Sequence, residues 1–228
     1  MKLILTTLTL CFFTAILTAD EAGFEPIFNG KDFTDWDSQP GAWEIIDGEF
    51  HCTGEAKNKN WLIWRKAEPA NFVLRLDFKW EAGNSGVQIR SDDLGDWQIF
   101  GYQVEIAQRD VMGLWHHSLL DGKHPTKEAR HLMTTAGQAA EISTAGERTI
   151  TQVADTAELQ SLYNESEWNT MEIIADGQTL TQKINGKVFA TLIDGDLGMG
   201  RTHGLIALQD HGKGCQVAFR NLRIKILP

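Results

Sequence analysis

Phe72-Val73-Leu74-Arg75-Leu76-Asp77-Phe78-Lys79-Trp80 decides the fold class. Five apolar residues alternate there with Val73, Arg75, Asp77 and Lys79, and a period of two sends successive side chains to opposite faces of a strand. One face is core and the other mostly wet, as in an antiparallel sheet covered on one side. Downstream, Gly83-Asn84-Ser85-Gly86 turns the chain into two strands that each carry a polar face where a buried one is expected. In Gly86-Val87-Gln88-Ile89-Arg90 the polar pair is Gln88 and Arg90; in Tyr102-Gln103-Val104-Glu105-Ile106 it is Gln103 and Glu105, and residues 92–96 supply the loop between. Paired in one sheet, these strands bring a guanidinium, a carboxylate and two amides to one surface, which is the donor and acceptor set that binds a sugar.

Working outward, Asp47-Gly48 joins residues 43–46 to 49–53 as a hairpin, and Asn185-Gly186 is the best two-residue hairpin turn in the chain. Strand patterns return over 170–175, 179–184, 202–209 and 215–226, the last with a change of parity that implies a bulge near Arg220-Asn221. Between 108 and 168 the alternation fades into a long loop excursion holding Trp115-His116-His117, a short helix over 126–133 and a helical patch over 154–163. No repeat or linker interrupts the series. The expected fold is all-β: one domain over residues 24–228, a two-sheet antiparallel β-sandwich of the jelly-roll type.

Lys2, the apolar run 3–17 and Ala19 before Asp20 read as a secretory signal peptide over residues 1–19, so the chain is expected to be exported, periplasmic or secreted. The run is short for a membrane span, and Leu10 before Cys11 is a poor match to a lipid-anchor site. The formal charge of −10 becomes one unit more negative once Lys2 is removed, which disfavours nucleic acid and anionic lipid. Cys52 and Cys215 then remain. They can form one bridge in an oxidising compartment or sit apart as two small buried hydrophobes.

Several motifs follow one another over nearly all of residues 24–227: Ile27-Phe28-Asn29-Gly30-Lys31-Asp32-Phe33 with Trp36, Trp43 with Asp47-Gly48, Gly83-Asn84-Ser85-Gly86-Val87 with Arg90, and Gly101-Tyr102-Gln103-Val104-Glu105-Ile106. Trp168-Asn169, Ile184-Asn185-Gly186, Leu208-Gln209-Asp210-His211-Gly212 and Phe219-Arg220-Asn221-Leu222-Arg223-Ile224-Lys225 continue the series. In this order they resemble the 3-keto-disaccharide hydrolase family, a concanavalin-like (laminin G-like) jelly roll. The resemblance implies a hydrolase acting on glycosides oxidised to a ketone at C3. That ketone acidifies the C2 hydrogen, so a base can take the proton, the C1 substituent leaves by elimination, and water adds back. The chemistry needs a base, a group that stabilises the enolate oxygen, and a proton donor for the leaving oxygen.

Glu105 is the first candidate for the base, since it shares a face with Gln103 on a rigid element; without a ligand it is an ordinary strand glutamate. Arg90 is placed beside it as enolate stabiliser or salt-bridge partner. His211 suits proton transfer near neutral pH, and His116 and His117 stand where the family tends to carry acidic residues. Asn84, Ser85, Gln88, Gln103, Gln209 and Asp210 are candidate substrate contacts, as is Arg130, placed by resemblance alone. Of eight tryptophans, Trp97 and Trp115 border the proposed cleft and can stack on a pyranose, whereas Trp80 and Trp168 are expected in the core. If His116, His117, Glu105 and Asp210 converge, they offer a divalent cation a donor set, although no ligand spacing demands one. The expected partner is an oligosaccharide or glycoside, with no nucleic acid and no membrane span. The alternative is a non-catalytic carbohydrate-binding module on the same fold.

Overall fold

The computed structural model describes residues 22–117 and 128–228, without the side chains of His117, Glu128 and Ala129. The leader over 1–19 and Cys11 lie outside the described residues. Among the described residues no helix is long and apolar enough to cross a membrane.

The strands in chain order are β1 (Glu25–Pro26), β2 (Trp36–Asp37), β3 (Trp43–Ile46), β4 (Glu49–Cys52), β5 (Asn60–Trp64), β6 (Phe72–Ala82), β7 (Ser85–Gly95), β8 (Gln98–Ile106) and β9 (Gly113–His117). There follow β10 (Leu132–Thr135), β11 (Gln138–Ile142), β12 (Arg148–Gln152), β13 (Trp168–Asp176), β14 (Thr179–Ile184), β15 (Lys187–Asp194), β16 (Leu205–Asp210) and β17 (Gln216–Ile226). Helices α1 (Glu128–His131) and α2 (Thr156–Ser161) are short. One sheet has ten strands, in the order β12-β11-β15-β14-β13-β6-β17-β4-β3 with β1 joined to β17. The other has seven, in the order β10-β9-β8-β7-β16-β5-β2. Pairing is antiparallel except between β11 and β15, which run parallel. The molecule is thus the all-β, two-sheet jelly roll that the alternation implied.

Its core lies between the sheets. Phe72, Leu74, Leu76 and Phe78 of β6 are fully buried there and meet Val87, Ile89, Val104, Ile106, Leu62 and Leu208 from the facing sheet. Each such side chain contributes about 2 kcal/mol of burial. The Asn185-Gly186 turn has φ of 48° and 82°, both left-handed as this hairpin requires. The ladder between β6 and β17 shifts register between Arg220 and Arg223, with Asn221 at φ 56°, which is the expected bulge.

Three expectations need correction. The excursion over 108–168 is no loop: it contains β9 to β12, strands of four or five residues, too short to show alternation. Within it, Leu132 and Met133 belong to β10, so the helix expected over 126–133 shrinks to α1; residues 126 and 127 lie outside the described residues. The helical patch survives as α2, capped by Asp155, whose Oδ1 accepts from Glu158 N at 2.7 Å. Trp80 is only partly buried, packed against the core with Nε1 donating to Gly83 O at 2.7 Å, and Trp168 is half-buried outside it, with the Arg220 guanidinium 3.8 Å from its ring centroid. Cys52 and Cys215 are buried, adjacent and free, a third arrangement beside the bridge and the separated thiols.

Candidate functional site

In the seven-stranded sheet, Leu62, Val87, Val104 and Leu208 face the core, so Trp61, Gln88, Gln103, Glu105 and Gln209 face outward by parity. Register lines them up in rows. Gln103 pairs with Trp115 on one side and with Gln88 on the other, Gln88 pairs with Ala207, and Ala207 with Ile63. In the next row Glu105 pairs with Gly86, and Gln209 pairs with Trp61.

The tip of the β7–β8 hairpin covers part of this face. Two register shifts, between Ile89 and Asp92 and between Asp93 and Gly95, coil the hairpin. Its tip reaches back over β16 to the β5 edge, where Trp61 N donates to Trp97 O at 3.1 Å, Gln98 Nε2 to Lys59 O at 2.7 Å, and Trp97 Nε1 to Asp37 Oδ1 at 2.9 Å. Arg65 locks the same corner to Asp37 at 2.9 Å and Asp93 at 2.5 Å. Ile99 thereby closes a second buried cluster with Trp61, Ile63, Leu205 and Ala207. The polar half of the face remains as a floor of amides around one carboxyl group.

That carboxyl group is Glu105, 5% exposed. Gln103 Nε2 donates to its Oε2 at 2.5 Å and to Gln209 Oε1 at 3.0 Å; Asn84 Nδ2 approaches its Oε1 at 3.4 Å. Burial pushes the Glu105 pKa from 4.5 up to about 8, against the opposing pull of the Gln103 hydrogen bond and the Lys59 charge. The pKa of Lys59, half-buried just before β5, is itself lowered by burial. His211 lies on the exposed rim beyond β16, and partial burial with the Lys59 charge lowers its pKa. Gln88 is 0% exposed, yet neither its Oε1 nor its Nε2 has a hydrogen-bond partner among the described residues. Trp115 stands half-buried beside Gln103, with Nε1 donating to Val111 O at 3.2 Å.

The structure therefore gathers Glu105, Gln103, Gln88, Gln209, Asn84 and Trp115 on one face, with His211 at its rim and Trp97 in the hairpin tip that walls it. Five other candidates lie elsewhere. Arg90 does not meet Glu105: it sits in the bulge at φ 47°, which takes it off the alternation. Its guanidinium donates instead to Ala70 O at 2.7 Å, Gly177 O at 2.7 Å and Arg201 O at 3.3 Å. His116 pairs with Tyr102 on the inner face, edge-on to Phe100 and Tyr102, and burial lowers its pKa to about 3, which removes it as a proton carrier near neutrality. Arg130 is a buried ion-pair member, bonded to Asp194 and Asp196. Asp194 also accepts from Tyr102 Oη at 2.5 Å. Ser85 is turned inward, its hydroxyl donating to Gln209 O at 2.6 Å. Asp210 is inward as well, accepting from Asn60 Nδ2 at 3.2 Å and Gly212 N at 2.9 Å. His116 and Asp210 thus lie on the face opposite Glu105, and the proposed cation site made of these residues does not assemble. The side chain of His117 lies outside the described residues.

Lys59 was missed by the sequence, where it sits in the run Lys57-Asn58-Lys59-Asn60 and looks like a solvated charge. The signal that could have found it is parity, since it continues Trp61 and Ile63 onto the outer face.

The same architecture recurs in solved structures. A candidate glycosyl hydrolase from Parabacteroides distasonis superposes with a TM-score of 0.60 at 20% identity, covering 93% of this chain and 99% of that one. A second from the same organism gives 0.57 at 23%, covering 90% and 99%. The carbohydrate-binding module CBM66 of Bacillus subtilis gives 0.55 at 11%, covering 85% and 97%. At these identities the likeness is one of fold. No curated protein matches the chain. A family model described as a 3-keto-alpha-glucoside-1,2-lyase-like domain matches residues 23–225, nearly the whole described chain, and the chain belongs to that family.

Proposed function

We propose that this chain hydrolyses 3-keto-glycosides by elimination and rehydration, with Glu105 as the base, and that it works outside the cytoplasm. The observation that carries the reading is the state of Glu105: a nearly buried carboxyl group with a pKa of about 8, held by one amide on a floor of amides. A base tuned close to the working pH suits removal of a C2 proton made acidic by the adjacent ketone. The Glu105 carboxylate takes that proton, the C2 electron pair forms the enolate, and the C1–O bond breaks. The Lys59 ammonium, whose charge acts on both Glu105 and His211, supplies the proton to the leaving oxygen. Water then adds hydroxyl to C1, its remaining proton restoring the Lys59 ammonium, while Glu105 returns its proton to C2. The Gln88 amide, whose Nε2 makes no other bond among the described residues, is the donor for the enolate oxygen, Gln103 Oε1 can accept from a ring hydroxyl, and Trp115 offers a face for the sugar ring.

The test is to incubate the mature protein with 3-keto-trehalose or an aryl 3-keto-glucoside and follow release of the second ring, comparing wild type with Glu105→Gln. Loss of release in the variant supports the assignment. Equal release removes Glu105 from the mechanism, and sugar binding without any release makes the chain a carbohydrate-binding module.

A further inference from the structure

Behind the Glu105 face, between the two sheets, three side chains that the reaction does not use come together. Cys52 ends β4 in the ten-stranded sheet, Asp210 ends β16 in the seven-stranded sheet, and Cys215 lies in the turn leading into β17. We infer that Cys52 Sγ, Cys215 Sγ and a carboxylate oxygen of Asp210 form a buried site for one divalent cation of the zinc class, which clamps the two sheets together.

The geometry is close to what a single ion requires. The three donor atoms lie within 4.8 Å of one another. Zinc bonds sulfur at about 2.3 Å and carboxylate oxygen at about 2.0–2.2 Å, so donors at tetrahedral angles stand about 3.6–3.8 Å apart, and the three side chains have to draw together by about 1 Å at most. The site is interior: Cys52, Asp210 and Cys215 are 8%, 0% and 1% exposed. That sets this carboxylate apart from acidic groups scattered on a surface.

Charge gives an independent argument. Asp194 and Asp196, two other interior carboxylates, are both paired with Arg130. Asp210 has no cationic partner among the described residues and accepts from the neutral donors Asn60 Nδ2 and Gly212 N. A carboxylate offers about four acceptor positions, so these bonds leave room for a metal. A buried carboxylate without a cationic partner thus lies beside two buried thiols, and a divalent cation is a counter-charge that such a set can accept.

Two sulfurs and one carboxylate form a borderline-soft set, which suits zinc and not calcium or magnesium. Binding releases the two thiol protons to solvent and changes no oxidation state. The contacts given up are those of the thiols: Cys52 Sγ faces Gln209 O at 3.9 Å, Cys215 Sγ faces Asn84 O at 3.5 Å, and Cys215 also bonds the Cys52 thiol and the Asp210 carboxylate. Gln209 and Asn84 also flank Glu105, so the clamp underlies the backbone of the candidate site while standing apart from the sugar reading.

The test uses the mature protein, reduced and stripped with a chelator, then titrated with Co2+ under anaerobic conditions. The expected result is one equivalent bound with thiolate-to-cobalt charge-transfer absorption, displaced by Zn2+, and a rise in the thermal midpoint of about 5 °C or more at saturating zinc. The absorption should vanish in Cys52→Ala/Cys215→Ala, but the wild-type titration decides the matter even if that variant fails to fold. Three outcomes overturn the site: no charge-transfer absorption with an unchanged midpoint, the same absorption in the double variant, or native protein recovered with its two thiols joined as a disulfide.

Discussion

Gln103 Nε2 lies 2.5 Å from Glu105 Oε2 and 3.0 Å from Gln209 Oε1, so one amide on β8 spans the middle strand and ties β8 to β16. It can do so because the residue beneath it is Gly86: a Cβ there would stand 2.8 Å from Gln103 Cγ and 2.9 Å from its Nε2. Gly86→Ala should push the amide off both partners while leaving the backbone in place. The expected outcome is a loss of about tenfold to a hundredfold in kcat/KM on a 3-keto-glycoside, with the thermal midpoint lowered by a few degrees as the two buried bonds are lost. Retained activity would show that the tether does not position Glu105.

Glu105 couples function to stability in a defined pH window. Its pKa rises from 4.5 to about 8 on folding, so between those values the unfolded chain sheds a proton that the folded chain keeps. The group costs no stability below pH 4.5, the cost grows as pH rises, and it levels off above about 8. Glu105→Gln keeps an acceptor for Gln103 and has no charge to desolvate. Its thermal midpoint should therefore exceed the wild-type value by a margin that widens from pH 5 to pH 8.5, while turnover falls about a hundredfold or more. In the wild type, kcat/KM should climb through pH 8 as the base ionises. A margin that is flat with pH would mean that the carboxyl group is not desolvated.

How much of this was legible in the sequence follows from what each residue needs. Period-two patterns long enough to count, such as Phe72 to Trp80, gave the sandwich, and Gln103 and Glu105 fell on the face their parity implied. Arg90 shared the parity of Gln88 in sequence and lost it in space, because a left-handed residue at the bulge breaks the alternation and no local signal marks a non-glycine residue for φ 47°. Arg130 and His116 were invisible as interior groups because their surroundings, Asp194, Asp196, Phe100 and Tyr102, come from remote strands. The burial of Glu105 has no counterpart in pairwise periodicity, which gives the face that a residue takes and not what packs around it.

Arg90 makes the contrast testable. Its guanidinium is the donor for three backbone carbonyls, those of Ala70, Gly177 and Arg201, and burial lowers its pKa without any contribution from Glu105. Arg90→Met should leave those carbonyls without their donor and cost about 3 kcal/mol in a urea unfolding curve. The kcat of the folded fraction should stay within about twofold of wild type. Enolate stabilisation by Arg90 predicts the reverse, with kcat collapsing and stability little changed.

Gln88 carries the last prediction, because a fully buried amide without a partner is expensive to keep. Leaving a buried donor or acceptor unsatisfied costs about 1–3 kcal/mol, and replacing it with an apolar group of similar shape is often neutral or stabilising. Gln88→Leu fits beside Ala207 and Gln103, its ladder neighbours. It should hold or raise the unfolding free energy by up to about 1 kcal/mol in urea. If the amide exists to meet a sugar hydroxyl or the enolate oxygen, the same substitution should raise KM or lower kcat/KM by about tenfold, since one good hydrogen bond in a dry site is worth about 1.4 kcal/mol or more. Stability and activity then move in opposite directions, the pattern expected of a group kept for its ligand. If Gln88→Leu instead lowers stability and leaves KM alone, the amide serves the fold, and the floor of the site has to be assigned to Gln103 and Gln209 alone.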